Sequence, residues 1–274
     1  LKEIDPAPTY VNTGSYEAAL LAAGGVLTLS RLIQEAKPGS RRGFAIVRPP
    51  GHHADREQSM GFCLINNTAI AVADALDRGI QKVAIIDIDA HHGNGTQAIF
   101  MDDPRVGIFS MHQEGIYPTS GGLDEMCMAE GRIMNLPLPA FTGDEVFTDV
   151  FDCVLKPWLE LLQPEMIFVS AGFDGHFVDP LTALTYSTNG FYQFTRNLIE
   201  QADQYSHERL LFILEGGYDG VSLSEGIQAV MCAMADQKDF PNSLGDYPHN
   251  PVDIQNRIKI LCNLHHLHKN QEVS

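Results

Sequence analysis

The sequence predicts an α/β fold: a central, mostly parallel β-sheet with helices packed on both faces. Three observations predict it. Short, nearly continuous runs of Val, Ile, Leu and Phe recur along the chain, as in strands buried on both sides. Stretches with helical apolar spacing separate these runs. Several of the runs end in clusters of His, Asp or Tyr, and in open parallel sheets sites form outside the carboxyl ends of the strands.

Taken in order, Ser15 reads as the cap of a helix reaching about Ala36, stopped by Pro38 and Gly39. Gly43–Val47 is the first strand and leads into Arg48-Pro49-Pro50-Gly51-His52-His53. A helix from Asn66 to Arg78 ends at Gly79, a suitable residue just past a helix terminus. Val83–Ile88 runs into Asp87-Ile88-Asp89-Ala90-His91-His92-Gly93-Asn94, and two further strands lie at Val106–Met111 and Ile133–Pro137. Asp144 to Leu162 reads as a helix that Pro157 kinks or splits. Met166–Ala171 leads to Gly172-Phe173-Asp174, a helix capped by Thr188 or Asn189 runs to about Tyr205, and Leu210–Leu214 leads to Glu215-Gly216-Gly217-Tyr218. Helices at Val221–Ala235 and Val252–Leu264 flank a polar surface loop, Asp236–Pro251. With no internal repeat, low-complexity tract or Gly/Ser linker, the 274 residues read as a single domain.

Composition excludes several function classes. Thirty-five acids against 18 Lys and Arg give a net charge of −17, which argues against nucleic acid as a partner, because that affinity rests on basic groups neutralising phosphates. The same balance argues against a polybasic membrane anchor. No apolar run reaches the ~18 residues of a membrane span, since Ala18–Leu29 is short and contains Gly24 and Gly25. No secretory signal is evident. The scattered cysteines (Cys63, Cys127, Cys153, Cys232, Cys262) include no CxxC pair, so reduced thiols in the cytoplasm are expected and no zinc-thiolate site. A start at Leu1 rather than Met reads as a processed or partial chain.

The strand-end clusters carry the chemistry. Asp89 and His91, two apart on a strand end, point the same way, and with Asp174 they make a candidate site of the three-ligand type that catalytic zinc uses. The alternative is a helix-capping Asp89 beside an ordinary loop histidine. Three ionisable residues in five at a buried strand exit are costly without a metal or partners, which favours the metal site. Asp87 shares their parity and either orients a histidine from behind or acts as a cap. His52 and His53 follow a rigid Pro-Pro-Gly turn and are either a general base beside a metal site or a surface pair. Tyr218, after Gly216 and Gly217, either donates to a developing oxyanion or is a half-buried loop tyrosine. No GxSxG elbow, P-loop or GxGxxG follows a strand, so serine-hydrolase, NTPase and dinucleotide readings have no support. His265, His266 and His268 read as a solvated tail.

Arg48-Pro49-Pro50-Gly51-His52-His53-Ala54, Gly61-Phe62-Cys63, Asp87 through Gln97, Ser170-Ala171-Gly172-Phe173-Asp174 and Glu215-Gly216-Gly217-Tyr218 together resemble the zinc-dependent histone deacetylase superfamily. That superfamily includes class II histone deacetylases, acetylpolyamine amidohydrolases and acetoin-utilisation-type proteins. The resemblance implies an arginase/deacetylase-like fold and a metal-dependent amidohydrolase. By position it implies Asp89, His91 and Asp174 as zinc ligands, a set that would also accept ferrous iron. It implies His52 and His53 as the tandem histidines, with His53 the general base and later acid. Tyr218 would polarise the substrate carbonyl and Asp87 would orient the first histidine. A potassium ion is implied near Asp87, Asp89 and Ser110–Met111. Gly61, Phe62, Tyr117, Leu181, Gly216 and Gly217 are the implied substrate-binding positions, with Phe62 and Tyr117 as tunnel walls. Asn94 stands where class I members have Asp and class II members have Asn; an amide partner leaves His53 less readily protonated. Leu181 stands at a rim position where a polyamine-specific relative has Glu. The expected substrate is N-ε-acetyl-lysine or a small acetylated amine such as an acetylpolyamine. The family's N-terminal strand and its His-Pro-Glu loop are not found. Two rivals are a binuclear manganese ureohydrolase, whose Asp-Ala-His-x-Asp run here has Gly93 in last place, and a non-catalytic acyl-ligand-binding protein on the same fold.

Overall fold

The computed structural model describes residues 2–5, 9–125, 131–248 and 251–267. Its main sheet has six strands in the order β3-β8-β7-β4-β5-β6, and every neighbouring pair is parallel. The strands are β3 (Arg42–Ala45), β4 (Val83–Asp87), β5 (Val106–Gln113), β6 (Ile133–Leu138), β7 (Met166–Ala171) and β8 (Leu210–Leu214). Side chains alternate across the sheet, as period-two geometry requires. Ile86, Phe109, Val169 and Phe212 feed one core with the C-terminal helices, whereas Ile85, Ile108, Phe168 and Ile213 feed the other with the two N-terminal ones. Pro137 lies on the edge strand β6, where its missing N–H costs no central ladder bond. Outside this sheet, β1 (Lys2–Glu3) and β2 (Tyr10–Val11) form a small antiparallel pair that the sequence did not announce.

Helix α1 (Ser15–Glu35) and α2 (Asn67–Asp77) cover one face. Ser15 is the first helical residue rather than the cap, which is Gly14; the Ser15 hydroxyl instead accepts from Asn12 N–H (2.9 Å). The helix runs through Gly24 and Gly25, so at 21 residues it is long and apolar enough by length and composition to cross a membrane, contrary to the sequence reading. Here it buries Ala19, Ala22, Ala23, Val26 and Ile33 and packs on α2, β3 and β8. Asn66 caps α2, its Oδ1 accepting from Ala69 N–H. Short α3 (Asn94–Phe100) follows β4.

On the other face lie α4 (Glu145–Val150), α5 (Lys156–Leu162), α6 (Thr188–Tyr205) and α8 (Gln255–Leu264). A single π turn, Phe151–Leu155, joins α4 to α5. This is how the chain absorbs Pro157, which lacks an N–H and crowds the carbonyl four residues back. The cap of α6 is Ser187, one residue earlier than expected, its hydroxyl accepting from Gly190 N–H (3.1 Å). Asp219 caps α7 (Gly220–Met234), accepting from Val221 and Ser222 N–H. The last helix begins at Gln255, three residues later than expected. His265 is buried at 5% exposure rather than solvated, because the chain after α8 folds back onto the core through Leu267. His266 is exposed as read, and His268 and Cys127 lie outside the described residues. The four described cysteines are free thiols.

Candidate active site

Loops leaving the carboxyl ends of β3, β4, β5, β7 and β8, with the segment before α2, converge on one cavity of about 230 Å³. Its lining includes His52, His53, Gly61, Phe62, His91, Tyr117, Leu181, Gly216 and Tyr218, together with Pro50 and Ile116, which sequence reasoning did not single out. Gly217 does not line it; it turns the chain at φ 122° so that its neighbours can.

At the floor, Asp89 and Asp174 are buried at 1% and 0% exposure. His91 Nδ1 faces both, 3.1 Å from Asp89 Oδ1 and 2.9 Å from Asp174 Oδ2. One ligand atom from each of the three lies within 4.8 Å of the others. The outer oxygens are held from behind: Gly216 N–H donates to Asp89 Oδ2 (2.7 Å) and Ala90 N–H to Asp174 Oδ1 (3.0 Å). Glycine is required at 216, because a Cβ there would strike both carboxylates. Burial disfavours charge on His91, but Asp174 and Asp89 override it and push the imidazole up to about 11. Burial likewise raises Asp174, helped by Asp89, whereas His52 and His91 outweigh burial at Asp89 and lower it. Two carboxylate oxygens and one imidazole nitrogen within 4.8 Å of one another suit zinc with a position left open, a metal there replacing the proton that His91 otherwise shares with the two carboxylates.

The tandem histidines stand beside this floor, their rings 4.0 Å apart. His52 Nδ1 lies 3.0 Å from Asp87 Oδ2, and Asp87 Oδ1 also accepts from Asp89 N–H. His53 Nδ1 lies 2.7 Å from Asn94 Oδ1. An amide oxygen can only accept, so His53 carries its proton on Nδ1 and presents a lone pair at Nε2. The two rings titrate in opposite directions. Burial opposes charge on His52, but Asp87 and Asp89 prevail and push it up to about 10. Burial and the neighbouring His52 hold His53 well below the ordinary imidazole range. The surroundings thus favour the charged form of His52 and the neutral form of His53. His92, by contrast, turns away from the cavity and bonds to Ser120 and Gln97.

Walls and rim follow. Tyr117 meets His53 edge to face at 5.0 Å, and Phe62 meets Tyr218 at 5.9 Å. Gly61, at φ 58°, passes so close to the His53 ring that a Cβ would overlap it. Burial, then Asp174 and Asp89, raise Tyr218 far above the ordinary phenol value, so its hydroxyl keeps its proton. Three supports were not legible in the sequence. Asp5 Oδ2 accepts from Gly61 N–H (2.6 Å), and Thr9 Oγ1 accepts from Phe62 N–H (2.9 Å), so the segment beside the β1–β2 pair buttresses the wall. Asp179 accepts from Tyr218 N–H (2.7 Å) and Leu181 N–H (3.0 Å). No local periodicity marks any of these contacts.

The Asn94 contact carries a prediction. Asn94→Asp should raise the acid limb of the kcat/KM–pH profile by about one unit, because a carboxylate stabilises the imidazolium and so removes the base form earlier as pH falls. A pH–rate profile of wild type and variant checks this; an unshifted limb would remove His53 as the titrating base.

A family profile described as the histone deacetylase domain matches residues 2–234. The chain is 41% identical over 226 residues to histone deacetylase 10, chloroplastic, of Oryza sativa subsp. japonica, covering 80% of this chain and 51% of that protein. It is 41% identical over 212 residues to a probable deacetylase of Archaeoglobus fulgidus, covering 77% and 58%. The crystal structure of the HDA15 HD domain superposes with a TM-score of 0.80 at 33% identity, covering 94% of this chain and 71% of that one. The chain therefore spans little more than half the length of the two curated relatives.

Proposed function

The chain belongs to the histone deacetylase family, and from that premise we propose that it is a metal-dependent deacetylase that hydrolyses N-acetylated amines, with N-ε-acetyl-lysine as its substrate. The observation that carries the reading is the buried Asp89–His91–Asp174 cluster at the floor of a cavity walled by Phe62 and Tyr117. Zinc held by these three residues would supply Lewis acidity and bring the pKa of water down to about 7. His53 Nε2 takes the proton of the attacking water and returns it to the departing amine nitrogen. Tyr218 donates its hydroxyl hydrogen to the carbonyl oxygen, where negative charge develops. His52, fixed by Asp87, keeps a positive charge beside His53 and so keeps the base neutral. Phe62 and Tyr117 exclude water from the aliphatic part of the acylated side chain. The products are acetate and the free amine.

The same reading includes a potassium ion near Asp87, Asp89 and Ser110–Met111, where β4 and β5 bring Asp87 beside Ser110 in register. It also includes a reducing, cytoplasmic location. Lysine is preferred over polyamine because Leu181, half-exposed at the rim, offers no carboxylate to a second ammonium group.

One metal-loaded preparation assayed against acetyl-lysine peptides, acetylpolyamines and small acetylated amines tests this. The expected result is the highest kcat/KM on the peptides. Higher values on acetylpolyamines would overturn the substrate assignment, and tight hydroxamate binding with no hydrolysis of any member would favour a non-catalytic acyl-ligand protein.

A further inference from the structure

The two groups that act on the amide in this reading sit on different loops. His53 follows β3 and Tyr218 follows β8, neighbouring parallel strands whose last register pair is Ala45 with Ile213. Beyond that pair the loops are joined by side-chain-to-backbone hydrogen bonds running in both directions. From the β3 side, Arg48 Nη2 donates to Gly217 O (2.8 Å), and its guanidinium carbon lies 5.8 Å from the centroid of the Tyr218 ring. That distance is within reach of a cation–π contact. From the β8 side, Glu215 Oε2 accepts from Gly51 N–H (2.7 Å) and His52 N–H (3.1 Å).

Glu215 is fully buried, and its other oxygen accepts from Ser170 Oγ (3.0 Å) and Thr68 Oγ1 (3.4 Å). A buried carboxylate is costly unless its lone pairs are met, and here hydroxyls from two further elements meet them. Two buried amides of the histidine loop would be orphaned without it. Arg48 is exposed, so its contacts are not a by-product of core packing. Both residues touch the backbone or ring flank of the acting loops, and neither lines the cavity.

We propose that Arg48 and Glu215 are positioning residues that lock the His53 loop to the Tyr218 loop, and so set the separation between the proton acceptor and the carbonyl-polarising hydroxyl. This rests on the deacetylase reading above. A shift of about 1 Å in such a constellation costs on the order of 10²-fold in rate.

The test uses the zinc-loaded protein and an acetyl-lysine peptide, comparing wild type, Arg48→Ala, Arg48→Lys, Tyr218→Phe and the double variant Arg48→Ala/Tyr218→Phe. Arg48→Ala is expected to lower kcat about 10²-fold, with KM, zinc content and thermal midpoint little changed. Arg48→Lys, which can still reach Gly217 O, recovers part of the loss. The double variant is expected to be no slower than Tyr218→Phe beyond about twofold, because residues that act as a unit are not additive. Glu215→Gln, which keeps an acceptor oxygen for Gly51 and His52, should retain most of kcat, whereas Glu215→Ala should match the Arg48→Ala loss. Arg48→Ala at wild-type kcat, or losses that multiply in the double variant, would overturn the proposal. Failure of the underlying reading looks different: Tyr218→Phe would itself turn over at the wild-type rate.

Discussion

Replacing His53 by alanine is expected to lower kcat on an acetyl-lysine peptide by about 10²–10⁴-fold, the range that a positioned general acid–base contributes. Zinc content should not change, because His53 is not among the three clustered ligand residues. The loss should fall on kcat more than on KM, since the proton at Nε2 moves only in the reaction. His53 is suited to this by its surroundings: Asn94 fixes the tautomer, and burial with the His52 charge keeps the ring neutral at working pH. His52→Ala is a different perturbation. It leaves Asp87 buried with its imidazole partner removed, so part of its effect would be structural. His53→Ala is therefore the cleaner assay of the base. Turnover near wild type, with metal content measured, would exclude His53 from proton transfer.

Asp174→Ala should have the second large effect. It removes one of the two carboxylates in the cluster and leaves Ala90 N–H without its acceptor. Loss of a residue that only orients a metal ligand costs 10- to 100-fold in affinity, so loss of a ligand should cost more than about 10²-fold. The measurement is the thermal midpoint with and without added zinc. For the wild type, zinc at about 100 times its dissociation constant should stabilise by about 2.7 kcal/mol; for the variant at the same concentration the shift should nearly vanish. The metal-free variant should also be less stable than the metal-free wild type, because Ala90 N–H loses its acceptor and His91 loses its nearest carboxylate, so the readout is the zinc-induced shift and not the absolute midpoint. An unchanged zinc-induced shift would remove Asp174 from the metal site.

The parallel sheet was legible because strands buried on both faces must be apolar on both faces, and β7 and β8 occur with the expected bounds. Helix ends were less legible. At Ser187, Thr188 and Asn189 three consecutive residues are good caps, and only the Gly190 N–H contact selects the first. Pro157 foretold a break, but whether the chain would kink, split or widen into a π turn depends on packing. The site was legible where its residues lie in runs at strand ends, as Asp87, Asp89 and His91 do. Support from afar was not: Asp5 and Gly61 are 56 residues apart, and Gly51 and Glu215 are 164 apart. Those contacts are made through backbone amides, which look alike in every sequence. The −17 charge was no guide, since the acids that organise this site, Asp87, Asp89, Asp174 and Glu215, are buried and most of the others are not.

The deciding measurement is the quantity of acetate released from an N-ε-acetyl-lysine peptide by the zinc-loaded protein. Acetate and deacetylated peptide are expected in equal amounts, with release that stops when a chelator removes the metal and resumes when zinc is restored. Acetate release that continues undiminished in fully chelated protein, or none from protein carrying one zinc per chain, would contradict it.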